Sequence, residues 1–346
     1  MGKGKSLTDA IYASFIAGSF KKNAIFDLSH PWNRDNCLYP FYLLRENLLR
    51  HGVEVNTADV NGGRKLAFEL HMDVQRQCVS KACYLLMLET PQVWPENGVL
   101  SNFDCYRKIF TWNDELVDGQ RFIKINFPNT FHVHSVDGFE NRDRFCCLIA
   151  GNKTLSVTGD QNLYQERVRA IRWFEANVPH DFYLYGVGWD MPVVLTAGLI
   201  GRIERRFWRS ISSIVKLQPF PSYQGMIKNK RDVLTRTRFA ICFENVRDLP
   251  GYITEKIFDC FFSGCVPVYC GASNVADHIP AGCFVDRRHF RDTGEVYRFL
   301  KAMTEQEFRG YQQRIAAFLE SDAAYPFSTE SFVETIVGTI AHDFGH

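Results

Sequence analysis

The chain has 346 residues, with 40 Lys+Arg against 39 Asp+Glu and 46% hydrophobic residues, enough for two ordinary domains that each bury a core. Charged residues at 23% and aromatics at 14% are the proportions of a folded globular protein and exclude extensive disorder. A formal charge of +1 provides no global field for a nucleic-acid backbone or an anionic membrane, so nucleic acid is excluded as a first partner and any charged ligand must meet a local cluster.

Residues 1–6, Met-Gly-Lys-Gly-Lys-Ser, fit a myristoylation pattern and a fragment of a phosphate-binding loop. A phosphate loop needs a strand and an earlier glycine before it, so the segment is read as a flexible basic start. The apolar run 10–17 is too short to span a bilayer. Helical periodicity over 38–50 stops at Gly52, and 53–56 follows as a strand. Residues 84–88 form a continuous apolar run of the buried-strand type that Pro91 ends, which leaves Glu89 at a strand's carboxyl end. Further strands are expected at 108–112 and 122–126, and the polar stretch 129–143 reads as a linker.

The alternation then restarts with a strand at 144–150, a helix at 163–177 and a strand at 182–185 ending in Gly186. A strand at 239–243, a helix at 255–263, a strand at 266–269 closed by Gly271 and a strand at 283–285 follow, with helices at 296–303 and 306–319. The expected fold class is therefore α/β: an N-terminal domain over 1–137, a C-terminal domain over 138–325 and a helical tail over 326–346. Two tandem units with mostly parallel sheets predict a crevice where strand ends face each other.

Eleven cysteines, an odd number in apolar contexts and without a Cys-x-x-Cys, predict buried free thiols in a reducing compartment and no zinc site. Asn152-Lys153-Thr154 is read as a glycosylation triplet occurring by chance. His132 and His134 lack an evident third ligand and are assigned a structural or acceptor-contact role.

The most informative segment runs Phe243-Glu244-Asn245, six residues, then Tyr252-Ile253-Thr254-Glu255-Lys256. A strand passes through a turn into a helix start that Thr254 can cap, with Lys256 adding a full positive charge, the outline of an anion site suited to a diphosphate. The same residues also suit an ordinary capped helix whose Lys256 faces solvent.

The run Phe239-Ala240-Ile241-Cys242-Phe243-Glu244-Asn245, continued through Tyr252 to Ile257 and Val266-Pro267-Val268-Tyr269-Cys270-Gly271, resembles the signature of α-1,3/4-fucosyltransferases, glycosyltransferase family 10. The likeness extends to Asn229-Lys230 upstream and to Ile279-Pro280 and Phe284-Val285 downstream. Weaker likeness joins Leu88-Glu89-Thr90-Pro91 to the family's acidic motif, Phe110-Thr111-Trp112 to its following strand and Arg167-Val168-Arg169 to its arginine-bearing helix. The resemblance implies a GT-B fold of two Rossmann-like domains facing across a cleft. It implies that Lys256 and Arg167 bind the diphosphate of GDP-fucose, that Asn245, Tyr252 and Glu255 line the nucleotide and sugar site, and that Glu89 is the general base. A loop over 246–251 carrying Arg247-Asp248-Leu249-Pro250 departs from shorter glycine-rich versions.

The expected activity is inverting transfer of L-fucose from GDP-fucose to an N-acetylglucosamine- or glucose-containing oligosaccharide or glycolipid in α-1,3/4 linkage. No metal and no cofactor are required by this picture, since two side-chain cations face the diphosphate and no Asp-x-Asp triplet occurs. The alternatives are a GT-B transferase using another GDP-sugar and a non-catalytic glycan- or nucleotide-binding module. The expected location is the cytoplasm of a bacterium, including its inner-membrane periphery but without stable membrane insertion; the alternative is an excised Golgi lumenal catalytic domain.

Overall fold

The computed structural model describes residues 11–75, 78, 80, 82–155, 161–194, 198–215 and 218–344; the basic start at 1–6 lies outside these. The chain divides into two compact units, one of residues 1–128 and 329–346 and one of residues 129–328. The division thus falls nine residues before the expected boundary at 137. The supposed linker belongs to the second unit and is anchored in it: fully buried Arg142 donates to the carbonyls of Leu234, Thr237 and Ser263 and pairs with Asp137.

In the first unit the elements are β1 (Ile11–Ile16), α1 (Tyr39–Arg50), β2 (Val53–Thr57), the short α2 (Ala58–Asn61), β3 (Leu66–Met72), β4 (Cys83–Met87), β5 (Lys108–Thr111) and β6 (Phe122–Lys124). All pair in parallel, in the order β2-β1-β3-β4-β5-β6. Every residue of β4 is buried, as a central strand covered on both faces requires.

The second unit contains β7 (Arg144–Ile149), α3 (Leu163–Asn177), β8 (Phe182–Tyr185), α4 (Gly198–Ile214), α5 (Arg231–Leu234), β9 (Thr237–Phe243), α6 (Glu255–Phe261), β10 (Val266–Cys270), α7 (Val275–His278), β11 (Val285–Asp286), α8 (Thr293–Ala302) and α9 (Glu305–Leu319). Its sheet is also parallel, ordered β11-β10-β9-β7-β8. Asn162 caps α3, and a reciprocal Thr304–Glu307 box starts α9. Gly186 closes β8 at φ 125°, where a Cβ would lie 1.9 Å from the Ala150 carbonyl oxygen, so only glycine fits.

The C-terminal stretch is helical, as α10 (Thr329–Asp343), and it returns to the first unit. Phe332, Val333, Ile336, Val337 and Ile340 join the core built by Phe41, Leu44, Leu48, Phe68 and Leu70. The cysteine reading needs correction, because Cys78 and Cys105 form a disulfide with their Cα atoms 6.5 Å apart. Residues 27 apart in sequence converge as the loops after β3 and before β5 meet, a convergence that spacing does not reveal. Eight of the other nine cysteines are buried free thiols and Cys37 is exposed. The Asn152 amide is buried and donates to the carbonyls of Gly188, Met191 and Pro192, so that triplet has a packing role. Among the described residues no helix is long and apolar enough to cross a membrane.

Candidate functional site in the second unit

In a sheet ordered 2-1-3-4-5 the chain leaves its first strand in both directions, and ligands favour the carboxyl ends of the strands flanking that switch point. In the second unit those strands are β7 and β9. Their ends, with Arg167 of α3, Lys230 before α5, and Lys256, Asp259 and Cys260 of α6, line one pocket.

The turn after β9 is organised by Glu244, whose side chain is fully buried. Its Oε1 accepts the Thr254 N–H at 2.8 Å, while Oε2 accepts the Thr254 hydroxyl at 2.8 Å and the Lys256 ammonium at 3.0 Å. Lys256 also donates to Thr254 Oγ1 at 2.8 Å, so two hydrogen bonds fix its ammonium. Gly271 makes room for this arrangement, since a Cβ there would lie 2.5 Å from Glu244 Cγ and 2.4 Å from the Tyr269 hydroxyl.

Arg167 is 4% exposed and donates to the carbonyls of Phe243 at 2.6 Å and Glu244 at 2.8 Å and to Asn245 Oδ1 at 3.1 Å. Its guanidinium thereby satisfies strand-end carbonyls that the sheet no longer pairs. The Asn245 amide donates to the hydroxyl of buried Tyr252 at 3.4 Å. The long 246–251 loop is tied down by the Asp248 N–H on the Gly271 carbonyl and the Gly251 N–H on Asn274 Oδ1.

Burial works against charge on Lys256, yet the Glu244 and Glu255 carboxylates outweigh it and hold the ammonium above its ordinary pKa. Desolvation likewise raises Glu255, but Lys256 at 3.9 Å and Lys230 at 3.8 Å bring its carboxyl down to about 2. Lys230 is itself paired with Asp259 at 2.6 Å. Lys256 and Glu255 therefore both carry charge at neutral pH.

The structure gathers five of the six expected residues, Arg167, Asn245, Tyr252, Glu255 and Lys256, around this one turn. The sixth, Glu89, belongs to the first unit, two residues after the end of β4. Its backbone is held from both sides: its N–H donates to Asp73 Oδ1 at 2.9 Å and its carbonyl accepts the Asn97 amide at 2.8 Å. Asp73 Oδ1 also accepts the Leu88 N–H and the Asn97 amide, and burial pushes its pKa up.

His132 lies against Phe262, ring centroids 4.6 Å apart, a packing contact. Among the described residues Glu69, His71 and Cys83 form a buried group of metal-ligand type in the first unit. Glu69 Oε2 accepts the Ser80 N–H at 3.1 Å and the Cys83 thiol at 3.5 Å and lies 3.4 Å from His71 Nε2, while His71 Nδ1 is 3.0 Å from the Tyr106 hydroxyl. This is a connected hydrogen-bond network, and burial pushes the Cys83 thiol up to about 12, which keeps it protonated.

Sequence reasoning passed over Glu244, although it stands inside the motif, because a carboxylate beside a diphosphate site has no direct use there. It also passed over Arg247, Arg287 and Arg288, whose charges all lower the pKa of Cys270 at the end of β10 against the effect of burial. Arg287 is tied to Glu166 of α3 at 3.3 Å and Arg288 to Asp286 at 2.7 Å. Only the parallel register that sets β10 beside β9 and β11 brings these positions together.

Two parallel α/β sheets with a charged turn at a switch point define a GT-B architecture, and solved glycosyltransferases share it. An alpha1,3-fucosyltransferase bound to GDP aligns with TM-score 0.53 and 14% identity over 98% of this chain and 92% of its own, and the Anabaena protein Alr3699/HepE in complex with UDP and glucose with TM-score 0.54 and 10% identity over 96% and 100%. At these identities the likeness is one of fold. In sequence, residues 207–315 match the glycosyltransferase family 10 (fucosyltransferase) C-terminal model. The chain is 37% identical over 103 residues to an alpha-(1,3)-fucosyltransferase of Helicobacter pylori, covering 29% of this chain and 21% of that one. It is 34% identical over 70 residues to an alpha-(1,4)-fucosyltransferase of Arabidopsis thaliana, covering 20% and 17%. These matches thus span about a fifth of the relatives' length.

Proposed function

We propose that the protein is an inverting fucosyltransferase that moves L-fucose from GDP-fucose to a hydroxyl of an N-acetylglucosamine- or glucose-containing glycan. The observation that carries this reading is the cation pair Lys256 and Arg167, lining one pocket at the carboxyl ends of β7 and β9, of which Lys256 and β9 lie inside the segment 207–315 that matches the family model. In this reading Lys256 contacts the diphosphate and neutralises the charge that grows on GDP as the glycosidic bond breaks. Arg167 shapes the turn and adds its charge to the local field, and Asn245, Tyr252 and Glu255 line the nucleotide and sugar. Inversion requires the acceptor oxygen to attack the anomeric carbon from the face opposite the departing diphosphate. Glu89 removes the hydroxyl proton as the new bond forms. The proton ends on Glu89 and the bonding pair on GDP. The chemistry uses side-chain cations at the leaving group and assigns no step to a metal.

The test is GDP release with GDP-fucose and an N-acetyllactosamine or lactose acceptor, with linkage analysis of the product by NMR. GDP-fucose is expected to turn over and GDP-mannose to fail. Glu89→Gln is expected to bind GDP normally and to lose about 100-fold or more in turnover, the range for removal of a general base. Near-normal turnover of that variant removes Glu89 from the mechanism, and transfer of another GDP-sugar in preference overturns the donor assignment.

A further inference from the structure

The helix α4, Gly198–Ile214, lies in the second unit outside the site described above and serves none of the chemistry assigned there. Its 17 residues span about 25 Å. At 100° per residue, Leu199, Ile200, Ile203 and Phe207 fall within an arc of about 100°. Those side chains are 67, 68, 62 and 57% exposed. Helix α3, which precedes it in the chain, instead buries its apolar residues Leu163, Ile171 and Phe174. On α4 it is the opposite face that meets the unit: Gly201 is buried, Trp208 is half-buried and Arg205 donates to the Asn152 carbonyl at 3.4 Å.

Charge selects the occupant of the exposed face. Arg202, Arg206 and Arg209 are exposed along one edge of the apolar arc, and 199–209 contains four arginines against the single Glu204, in a chain whose overall charge is only +1. A basic edge beside large apolar side chains is the pattern of a helix lying in a membrane interface, with its rings about 5–10 Å into the headgroup boundary and its guanidiniums on lipid phosphates. We propose that α4 is a lipid-binding helix that docks the protein flat on an anionic bilayer, without spanning it. The long, exposed and apolar side chains supply the buried area, and the arginines confine binding to negatively charged lipid. This inference does not depend on the proposed transfer reaction.

Co-sedimentation of the full chain with large unilamellar vesicles tests it. The wild type is expected to partition onto phosphatidylglycerol/phosphatidylcholine vesicles and not onto pure phosphatidylcholine, with binding weakened by salt. Each arginine at an anionic surface is worth about fivefold, so Arg202→Ala with Arg206→Ala should lower partitioning by roughly 25-fold. Ile203→Asp with Phe207→Asp should lower it by roughly 100-fold or more, since two large side chains leave the interface. Melting temperature should be unchanged in both double variants, because the altered side chains already face water. Failure of the wild type to sediment with the anionic vesicles overturns the proposal, as does retention by Ile203→Asp/Phe207→Asp. A concentration-dependent dimer by light scattering that Ile203→Asp dissolves also overturns it, assigning the face to self-association.

Discussion

Replacing Lys256 by alanine separates a phosphate-binding lysine from a merely structural one. In the structure the ammonium is 3.0 Å from Glu244 Oε2 and 2.8 Å from Thr254 Oγ1, with a side chain 24% exposed beside a carboxylate that is fully buried. The variant therefore loses two things. A charge-assisted contact to phosphate is worth about 1.5–3 kcal/mol, so GDP affinity should fall roughly 10- to 150-fold. Glu244 is also left as a buried charge without its cation, which costs about 3–5 kcal/mol of stability, toward the lower end because both Thr254 donors remain. The double variant Glu244→Gln/Lys256→Ala distinguishes these effects, since a glutamine keeps the Thr254 contacts and carries no charge. It should recover most of the lost melting temperature and none of the GDP affinity. Isothermal titration of GDP into the single and double variants, with calorimetric melts, gives both quantities. Arg172→Ala is the control: Arg172 is 49% exposed and pairs with Glu175, and its loss should change affinity less than about threefold. If the double variant binds GDP as the wild type does, Lys256 serves only to neutralise Glu244 and the phosphate assignment fails.

Gly271→Ala should weaken GDP about fivefold or more and lower the melting temperature, because the new Cβ meets Glu244 Cγ at 2.5 Å and overpacking costs about 1–3 kcal/mol; unchanged binding and melting would show that Glu244 does not hold the turn. For Glu255 the folded pKa of about 2 lies below the ordinary 4.5, so its contribution to stability is present above pH 4.5 and is lost as pH falls toward 2. Acid unfolding followed by circular dichroism should therefore show a shallower loss over that window in Glu255→Gln than in the wild type, and identical slopes would disprove the pairing with Lys256 and Lys230. EDTA should leave transfer intact if side-chain cations serve the diphosphate, and complete loss restored by manganese would refute that.

The parts of this fold legible in the sequence are those where one local pattern decides the element. Helix α3 was placed residue for residue because Leu163, Ala170, Ile171 and Phe174 recur at helical spacing, with Arg167 the one charge on that face, and Asn162 caps it. Strand β4 was readable as an unbroken apolar run, and with it the position of Glu89. Strand β3 was missed because Glu69 and His71 interrupt its apolar residues, and nothing local tells that both are buried in a hydrogen-bond network. The destination of α10 was illegible for a different reason: its apolar face fits any core, and only long-range packing assigns it to the first unit. The candidate site was legible as a motif but not as a hierarchy. Lys256 and Arg167 were both expected to bind phosphate, whereas the structure already engages Arg167 with the carbonyls of Phe243 and Glu244.

That engagement bears on how the turn could hold an anion. A lysine on a four-carbon stem ordinarily loses about 2 kcal/mol of rotamer entropy when a ligand fixes it. Here Glu244 and Thr254 hold the ammonium before any ligand arrives, and Glu244 is itself fixed by the Thr254 N–H and by the close approach of Gly271. Arg167 in turn fixes the strand end from which Glu244 projects. The buried carboxylate thus makes the lysine rigid and reduces its free charge, opposing effects on phosphate affinity. Rigidity wins where the arriving anion carries more charge than the carboxylate it competes with, and a diphosphate does. The same arrangement disfavours singly charged anions, which gain little by sharing an ammonium already paired with Glu244.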